Sequence, residues 1–206
     1  MLQFITHKNP QLDEIEGARA ALEGGCKWIQ LRMKDASDEE FVAVGRVIGK
    51  MCKEAGAKFI LDDRVHLVEI LDADGVHVGK KDMPVPEARK LLGPNRIIGA
   101  TANTLEDALK AVKDGADYLG IGPFRFTTTK QRLAPVLGLY GLTKLMTKLR
   151  EVSDIPVVAI GGIKDSDIRD IMRSGVTGIA VSGNILNAPS PKEKTEIILN
   201  EINLSK

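Results

Sequence analysis

The residues best placed to do chemistry together stand where an apolar run, Tyr118 to Ile121, passes into Gly122-Pro123-Phe124-Arg125-Phe126-Thr127-Thr128-Thr129-Lys130. Glycine frees backbone N–H groups at such a turn, Thr127 and Thr129 add hydroxyls, and Lys130 adds an ammonium; these are the groups that hold phosphate oxygens. Read alone, the stretch is equally a solvated loop with one lysine. Partners at other strand ends weigh between the two. Gln30-Leu31-Arg32-Met33-Lys34 closes another apolar run. The two-residue alternation of an extended chain sets Gln30, Arg32 and Lys34 on one side, with Leu31 and Met33 on the other. Polar side chains that point into an interior need a ligand, whereas at a loop Arg32 and Lys34 merely reach solvent.

Leu61-Asp62-Asp63 ends a third run, and Gly79-Lys80-Lys81-Asp82 follows a fourth. Carboxylates at neighbouring strand ends, beside Arg and Lys, suit Mg²⁺, which takes one or two of them and completes its shell with phosphate oxygens and water. Asp63 and Asp82 are the candidate ligands. Their bland alternative is helix capping, a common job for an acid in such a place. A second anion site is suggested by Ile160-Gly161-Gly162-Ile163 and by Ser182-Gly183-Asn184, although Gly161-Gly162 also reads as a tight turn. His7, His66 and His77 are isolated, with His77 reading as a packed residue, and there is neither a Ser-His-Asp arrangement nor a dinucleotide glycine fingerprint. The set suits one substrate with a pyrophosphate and another with a monophosphate. Group transfer with departing pyrophosphate fits it better than hydrolysis, because leaving-group stabilisers abound and no base is evident.

These residues must be held by elements, and the pattern supplies them. Short apolar runs alternate with amphipathic stretches. The runs are Leu2 to Thr6, Trp28 to Arg32, Lys58 to Leu61, Gly75 to Val78, Ile97 to Thr101, Tyr118 to Ile121, Val157 to Ile160 and Gly178 to Ser182. Helix-period segments include Asp38 to Ala55, Thr104 to Asp114, Leu142 to Val152, Asp167 to Ser174 and Glu193 to Ile202, several opened by a Ser, Thr or Asp cap. Gly24-Gly25, Gly115 and Gly175 fall where left-handed helix ends are expected. Eight strand-helix units predict an α/β chain folded as a single (β/α)8 TIM barrel over residues 1–206, rather than an open doubly wound sheet. Functional residues then belong just after the C-terminal strand ends. A phosphate held by the loops after the seventh and eighth strands is a common feature of such barrels.

At 206 residues and 43% hydrophobic, the chain can bury one core, and no linker divides it. Twenty-nine basic residues against 28 acidic leave a net charge of +1 without a basic block, which argues against a nucleic-acid partner. Cys26 and Cys52 form no pair or metal motif and read as core thiols. No signal-peptide core or run of membrane-spanning length is present, so a cytoplasmic location without membrane association is expected. The expected partners are small-molecule substrates, with room left for a homo-oligomer.

Taken together, these motifs resemble the thiamine phosphate synthase family along essentially the whole chain. Gln30-x-Arg32-x-Lys34, Asp62-Asp63, Asp74-Gly75-Val76-His77-Val78-Gly79-x-x-Asp82, Gly99-Ala100-Thr101, Asp117-Tyr118-x-Gly120-x-Gly122-Pro123, Thr127-x-Thr129-Lys130 and Ile160-Gly161-Gly162-Ile163 stand in that family's order and spacing. The resemblance implies condensation of hydroxymethylpyrimidine pyrophosphate with a thiazole phosphate to thiamine phosphate and pyrophosphate. It gives Mg²⁺ to Asp63 and Asp82, and the rest of the pyrophosphate charge to Arg32, Lys34, Thr101 and Lys130. Gln30 and Asp62 would orient the pyrimidine, with Thr127 and Thr129 near the thiazole. The chain departs from the family pattern in Asp62, where Asn is usual, in Thr101-Ala102-Asn103, where Ser-x-His is common, and in Arg125-Phe126. A thiazole tautomerase-like isomerase and a non-catalytic phosphate-ligand sensor are the alternatives on the same fold.

Overall fold

The computed structural model describes residues 1–126 and 134–205. Its strands β1 (Leu2–Ile5), β2 (Trp28–Leu31), β3 (Lys58–Asp62), β4 (Gly75–Val78), β5 (Ile97–Ala102), β6 (Tyr118–Ile121), β7 (Val157–Ile160) and β8 (Gly178–Val181) pair in chain order. All pairs are parallel, and β8 closes on β1. The α/β barrel expected from the sequence is present, with every strand within one residue of its expected bounds.

Helices α1 (Glu14–Glu23), α2 (Asp38–Ala55), α3 (Val85–Leu92), α4 (Leu105–Lys113), α5 (Gly138–Arg150), α6 (Ile168–Arg173), α7 (Gly183–Leu186) and α8 (Pro191–Leu204) occupy the connections. Asp13, Ser37 and Thr104 open α1, α2 and α4 by accepting the N–H three residues on, and Glu16, Glu40 and Asp107 return the contact to the cap N–H. The third connection departs from the expected strand-helix unit: a 3₁₀ turn at Val65–Leu67 replaces a helix. At about a dozen residues the connection is at the short end for a crossover, and Val65, Leu67, Val68 and Ala73 bury without forming a helical stripe. Helix α5 starts four residues before the expected Leu142, because the buried stripe Leu142, Leu145, Met146 and Leu149 marks the packed face and not the first turn.

Two cores result from the two faces of the sheet. Phe4, Ile29, Leu31, Leu61, Val76, Ile98, Leu119, Val157 and Ile179 point outward into the layer shared with the helices. The barrel interior is smaller, with Ile5, Tyr118, Val158 and Ala180 as its apolar members. Register places Gln30 beside Ile60, Asp62 beside His77, His77 beside Gly99, and Gly99 beside Tyr118, so the inward residues form layers. Gly99 gives the large members room, since a Cβ there would lie 2.2 Å from the Tyr118 ring and 2.6 Å from His77 Nδ1. Cys26 and Cys52 are free, buried thiols, pushed up by burial to about 11 and about 12. Among the described residues, no helix is long and apolar enough to cross a membrane.

Candidate active site

A cavity of about 1260 Å³ opens at the C-terminal ends of the strands. Its charged wall comes from β2 and β3, whose inward side chains end in Gln30, Arg32, Lys34 and Asp62. Thr6, fully buried just past β1, fixes this wall by accepting the Arg32 N–H with its hydroxyl at 2.9 Å. Lys34 Nζ stands 2.8 Å from Asp62 Oδ2 and also bonds Asp63, while Arg32 Nε is 3.6 Å from the same Asp62 oxygen. Burial works against the Lys34 ammonium, but Asp62 and then Asp63 outweigh it and hold its pKa above the ordinary lysine value. Asp62 Oδ2 is buried between Lys34 and Arg32, with Lys34 as its near partner.

Asp63 stands at the rim behind this wall in the left-handed region, φ 59°, where Asp and Asn are the tolerated side chains. Arg64 Nε approaches its Oδ1 at 3.4 Å, and the Arg64 guanidinium is itself held by Ala36 O, by Asp38 and by the Phe41 ring face. Burial raises the Asp63 carboxyl above its usual range, and the like charges of Asp62 and Asp82 add to the rise against the pull of Lys34. Asp82 lines the cavity and accepts the Gly79 N–H at 2.7 Å. Crowded carboxylates of this kind fit a hard divalent cation, whose charge would relieve them. Among the described residues no three His, Cys, Asp or Glu side chains gather as a metal cluster, so Mg²⁺ would take Asp63, Asp82 and oxygens from outside the protein.

The cavity floor is a chain of polar groups inside the barrel. Gln3 Nε2 donates to the Tyr118 hydroxyl at 3.1 Å, the hydroxyl meets His77 Nδ1 at 3.0 Å, and His77 Nε2 meets Thr101 Oγ1 at 3.0 Å. Burial pushes the Tyr118 phenol well up, so it stays protonated. In the tautomer with the ring proton on Nε2, Tyr118 donates to Nδ1 and Nε2 donates to Thr101, which turns the threonine proton toward the cavity.

Across the cavity the wall is backbone. Gly161 and Gly162 take φ of 101° and 63°, conformations that suit glycine. Phe124 N–H donates to Ile160 O at 2.8 Å and Arg125 N–H to Gly161 O at 2.9 Å, so the segment after β6 is strapped to the one after β7. Arg125 lines the cavity while gripping Asp167 at 2.6 Å. After β8, Ser182 leads into α7, and its hydroxyl is buried without a partner among the described residues. Asn184 Nδ2 braces this turn through Ile163 O and Asp165 Oδ1, both at 3.1 Å.

The structure thus gathers Gln30, Arg32, Lys34, Asp62, Thr101, Asp82, Gly162, Ser182 and Gly183 on one cavity and sets Asp63 at its edge. Thr127, Thr129 and Lys130 lie outside the described residues. His77 is buried as expected, with both ring nitrogens engaged. Gln3 and Tyr118 carry no sign of their role beyond inward register, Thr6 has the outward parity of Phe4, and Lys164 at the cavity edge reads in sequence as a loop cation.

The family model described as thiamine monophosphate synthase matches residues 2–185. A thiamine-phosphate synthase of Bacteroides fragilis is 59% identical over 200 residues, 97% of this chain and 98% of that one. One of Bacteroides thetaiotaomicron is 56% identical over 200 residues, 97% of this chain and 96% of that one. Among solved structures, a thiamine phosphate pyrophosphorylase from Pyrococcus furiosus aligns with a TM-score of 0.89 at 40% identity, covering 99% of this chain and 96% of that one. The cavity described above therefore sits in a known sequence context, and this chain belongs to the thiamine monophosphate synthase family.

Proposed function

We propose that this chain, a transferase of that family, joins 4-amino-2-methyl-5-hydroxymethylpyrimidine pyrophosphate to hydroxyethylthiazole phosphate in the cytoplasm, giving thiamine phosphate and pyrophosphate. The observation that carries this reading is the division of one cavity into a charged wall and a backbone wall. Arg32 and Lys34 would bind the pyrophosphate, with Lys130 as a third cation and the Thr101 hydroxyl donating to a phosphate oxygen. Gln30 and the Asp62 carboxylate would meet the aminopyrimidine, whose amino group is a donor. Gly162, Gly183 and the unpartnered Ser182 hydroxyl would take the thiazole phosphate, with Thr127 and Thr129 near its ring.

In the reaction the methylene C–O bond breaks and its electron pair leaves with pyrophosphate. The thiazole nitrogen then gives its lone pair to the methylene carbon, forming the C–N bond of a thiazolium. No proton has to move, which suits a cavity whose His77 is tied at both nitrogens. The work of Arg32, Lys34 and Lys130 is to stabilise charge as it develops on the leaving group. When bound between Asp63 and Asp82, Mg²⁺ would neutralise part of that same charge. The isomerase reading needs a proton carrier, and Asn103, which spends its amide on Gly122 O at 2.5 Å, is not one.

The test is product formation from the two substrates, with Mg²⁺ and again with EDTA. Thiamine phosphate and pyrophosphate in equal amounts, lost with EDTA, are the expected result. Binding of the thiazole phosphate with no product would remove the transferase reading.

A further inference from the structure

Asp107, in the first turn of α4, does not line the cavity, yet it holds two of the loops that do. Lys80 Nζ lies 2.7 Å from its Oδ1 and 2.9 Å from its Oδ2. The backbone N–H groups of Asn103 and Thr104 donate to Oδ2 at 3.0 and 3.1 Å. Asn103 in turn donates its side-chain amide to Gly122 O at 2.5 Å, one step beyond the Gly122 N–H to Ala102 O contact at 3.3 Å. The amide thus adds a rung to the β5–β6 ladder after both strands have ended. Lys80 belongs to the turn closed by Gly79 N–H on Asp82, and Gly122 opens the segment that leads to Phe124 and Arg125. Lys80, Asp82, Asn103 and Gly122 all line the cavity.

We propose that Asp107 is the positioning residue of the rim: one carboxylate, through Lys80 and Asn103, sets the loop carrying Asp82 and the loop after β6 at a fixed spacing. A capping acid needs only the two backbone N–H groups, and the Lys80 contact from another strand end exceeds that job. The group is also built to stay charged. Its side chain is 18% exposed, and although burial opposes the carboxylate, Lys80 and the Asn103 N–H outweigh it and hold its pKa below the usual range.

This inference rests on the transferase reading for its consequence, namely that the spacing serves pyrophosphate binding. Lys80→Met, Asp107→Asn and the double variant test it by three readouts: KM against kcat, binding of Mg²⁺ with inorganic pyrophosphate by calorimetry, and hydrogen exchange at the Gly122 amide without any ligand. Asparagine at position 107 keeps a cap acceptor and loses the charge. Each single variant should weaken pyrophosphate binding and raise the KM of the pyrophosphate substrate by roughly tenfold with kcat within about twofold, and the double variant should be no worse than the weaker single. Gly122 exchange should quicken several-fold in Lys80→Met, several residues removed from the change. Weakened binding in Lys80→Met alone would mean that Lys80 touches the ligand directly, and would overturn the proposal. So would multiplied losses in the double variant, or Gly122 exchange unmoved by Lys80→Met. Wild-type binding of pyrophosphate without thiamine phosphate formation would defeat the reaction assigned above while leaving the Lys80–Asp107 coupling measurable.

Discussion

The two ends of the barrel use the same residue types to opposite effect. At the N-terminal strand ends, Asp74 accepts the Phe59 N–H at 2.8 Å and holds Lys58 at 2.8 Å. Asp117 accepts the Ile98 N–H at 2.7 Å and holds Arg89 at 2.6 Å. Thr177 accepts the Val157 N–H at 3.1 Å. Each stands just before an even-numbered strand and bonds the backbone of the strand before it, so the motif repeats around the barrel. At the C-terminal ends, Asp63 is crowded by like charges, Asp62 Oδ2 is buried against Lys34, and Ser182 Oγ is buried without a partner among the described residues. The remaining unpartnered atom among the described residues, Trp28 Nε1, belongs to a ring packed edge-on against Tyr118. Acids and hydroxyls tied to strand backbone stabilise the N-terminal end; charged groups and a free hydroxyl facing a cavity leave the C-terminal end ready for ligands.

The largest break in this contrast is Asp63→Asn. Asparagine tolerates φ 59°, so the backbone has no reason to move. Turnover should fall by roughly a hundredfold or more, as expected when charge stabilisation is taken from a leaving group. Stability should not fall with it. Because burial holds the folded Asp63 pKa above the usual carboxylate range, the folded protein holds the proton more tightly, and stability is lost as pH rises through the folded value. Asn removes that loss. Thermal unfolding from acid to neutral pH should therefore show a flatter decline in the variant, and a fall in Tm equal to that of a core mutation would contradict the assignment.

Asp117→Ala tests the other end. It strands the Ile98 N–H and takes the carboxylate from Arg89, which keeps the Gly93 and Arg96 carbonyls, and a backbone donor left unsatisfied costs about 1–3 kcal/mol. For a chain of this length that is a drop in Tm of about 2–4 °C for each kcal/mol. Turnover at a permissive temperature should be unchanged; a lower kcat with normal Tm would erase the distinction between the ends.

How far this contrast could be read from sequence depends on range. Strand positions and capping residues were legible because alternation and Ser/Thr/Asp caps act within a few residues. The inward row Gln30, Arg32 and Lys34 was legible too, since strand register and a barrel decide which side chains converge. The missing helix after β3 was not, because Val65, Leu67 and Val68 are apolar whether a segment is helical or only packed. Asp107 was read only as part of a helix, for its partner Lys80 lies 27 residues away on another strand end. Tyr118 showed as an apolar strand residue, and only closure of the barrel brings its hydroxyl to Gln3 and His77.

The smallest expected effect is the sharpest test of the C-terminal end. Ser182 Oγ has no partner among the described residues, so Ser182→Ala breaks no hydrogen bond among them and removes a buried polar atom. Stability should hold or rise slightly, the opposite sign from Asp117→Ala. If the hydroxyl serves the thiazole phosphate, one hydrogen bond to a charged oxygen is lost, and the KM for that substrate should rise by about tenfold. The KM for the pyrophosphate substrate should stay put, because Ser182 stands on the backbone wall, apart from Arg32 and Lys34. Measuring both KM values and Tm on this one variant separates the two outcomes. A loss of stability without a change in KM would show that the hydroxyl serves the fold, and would move Ser182 to the company of Thr177.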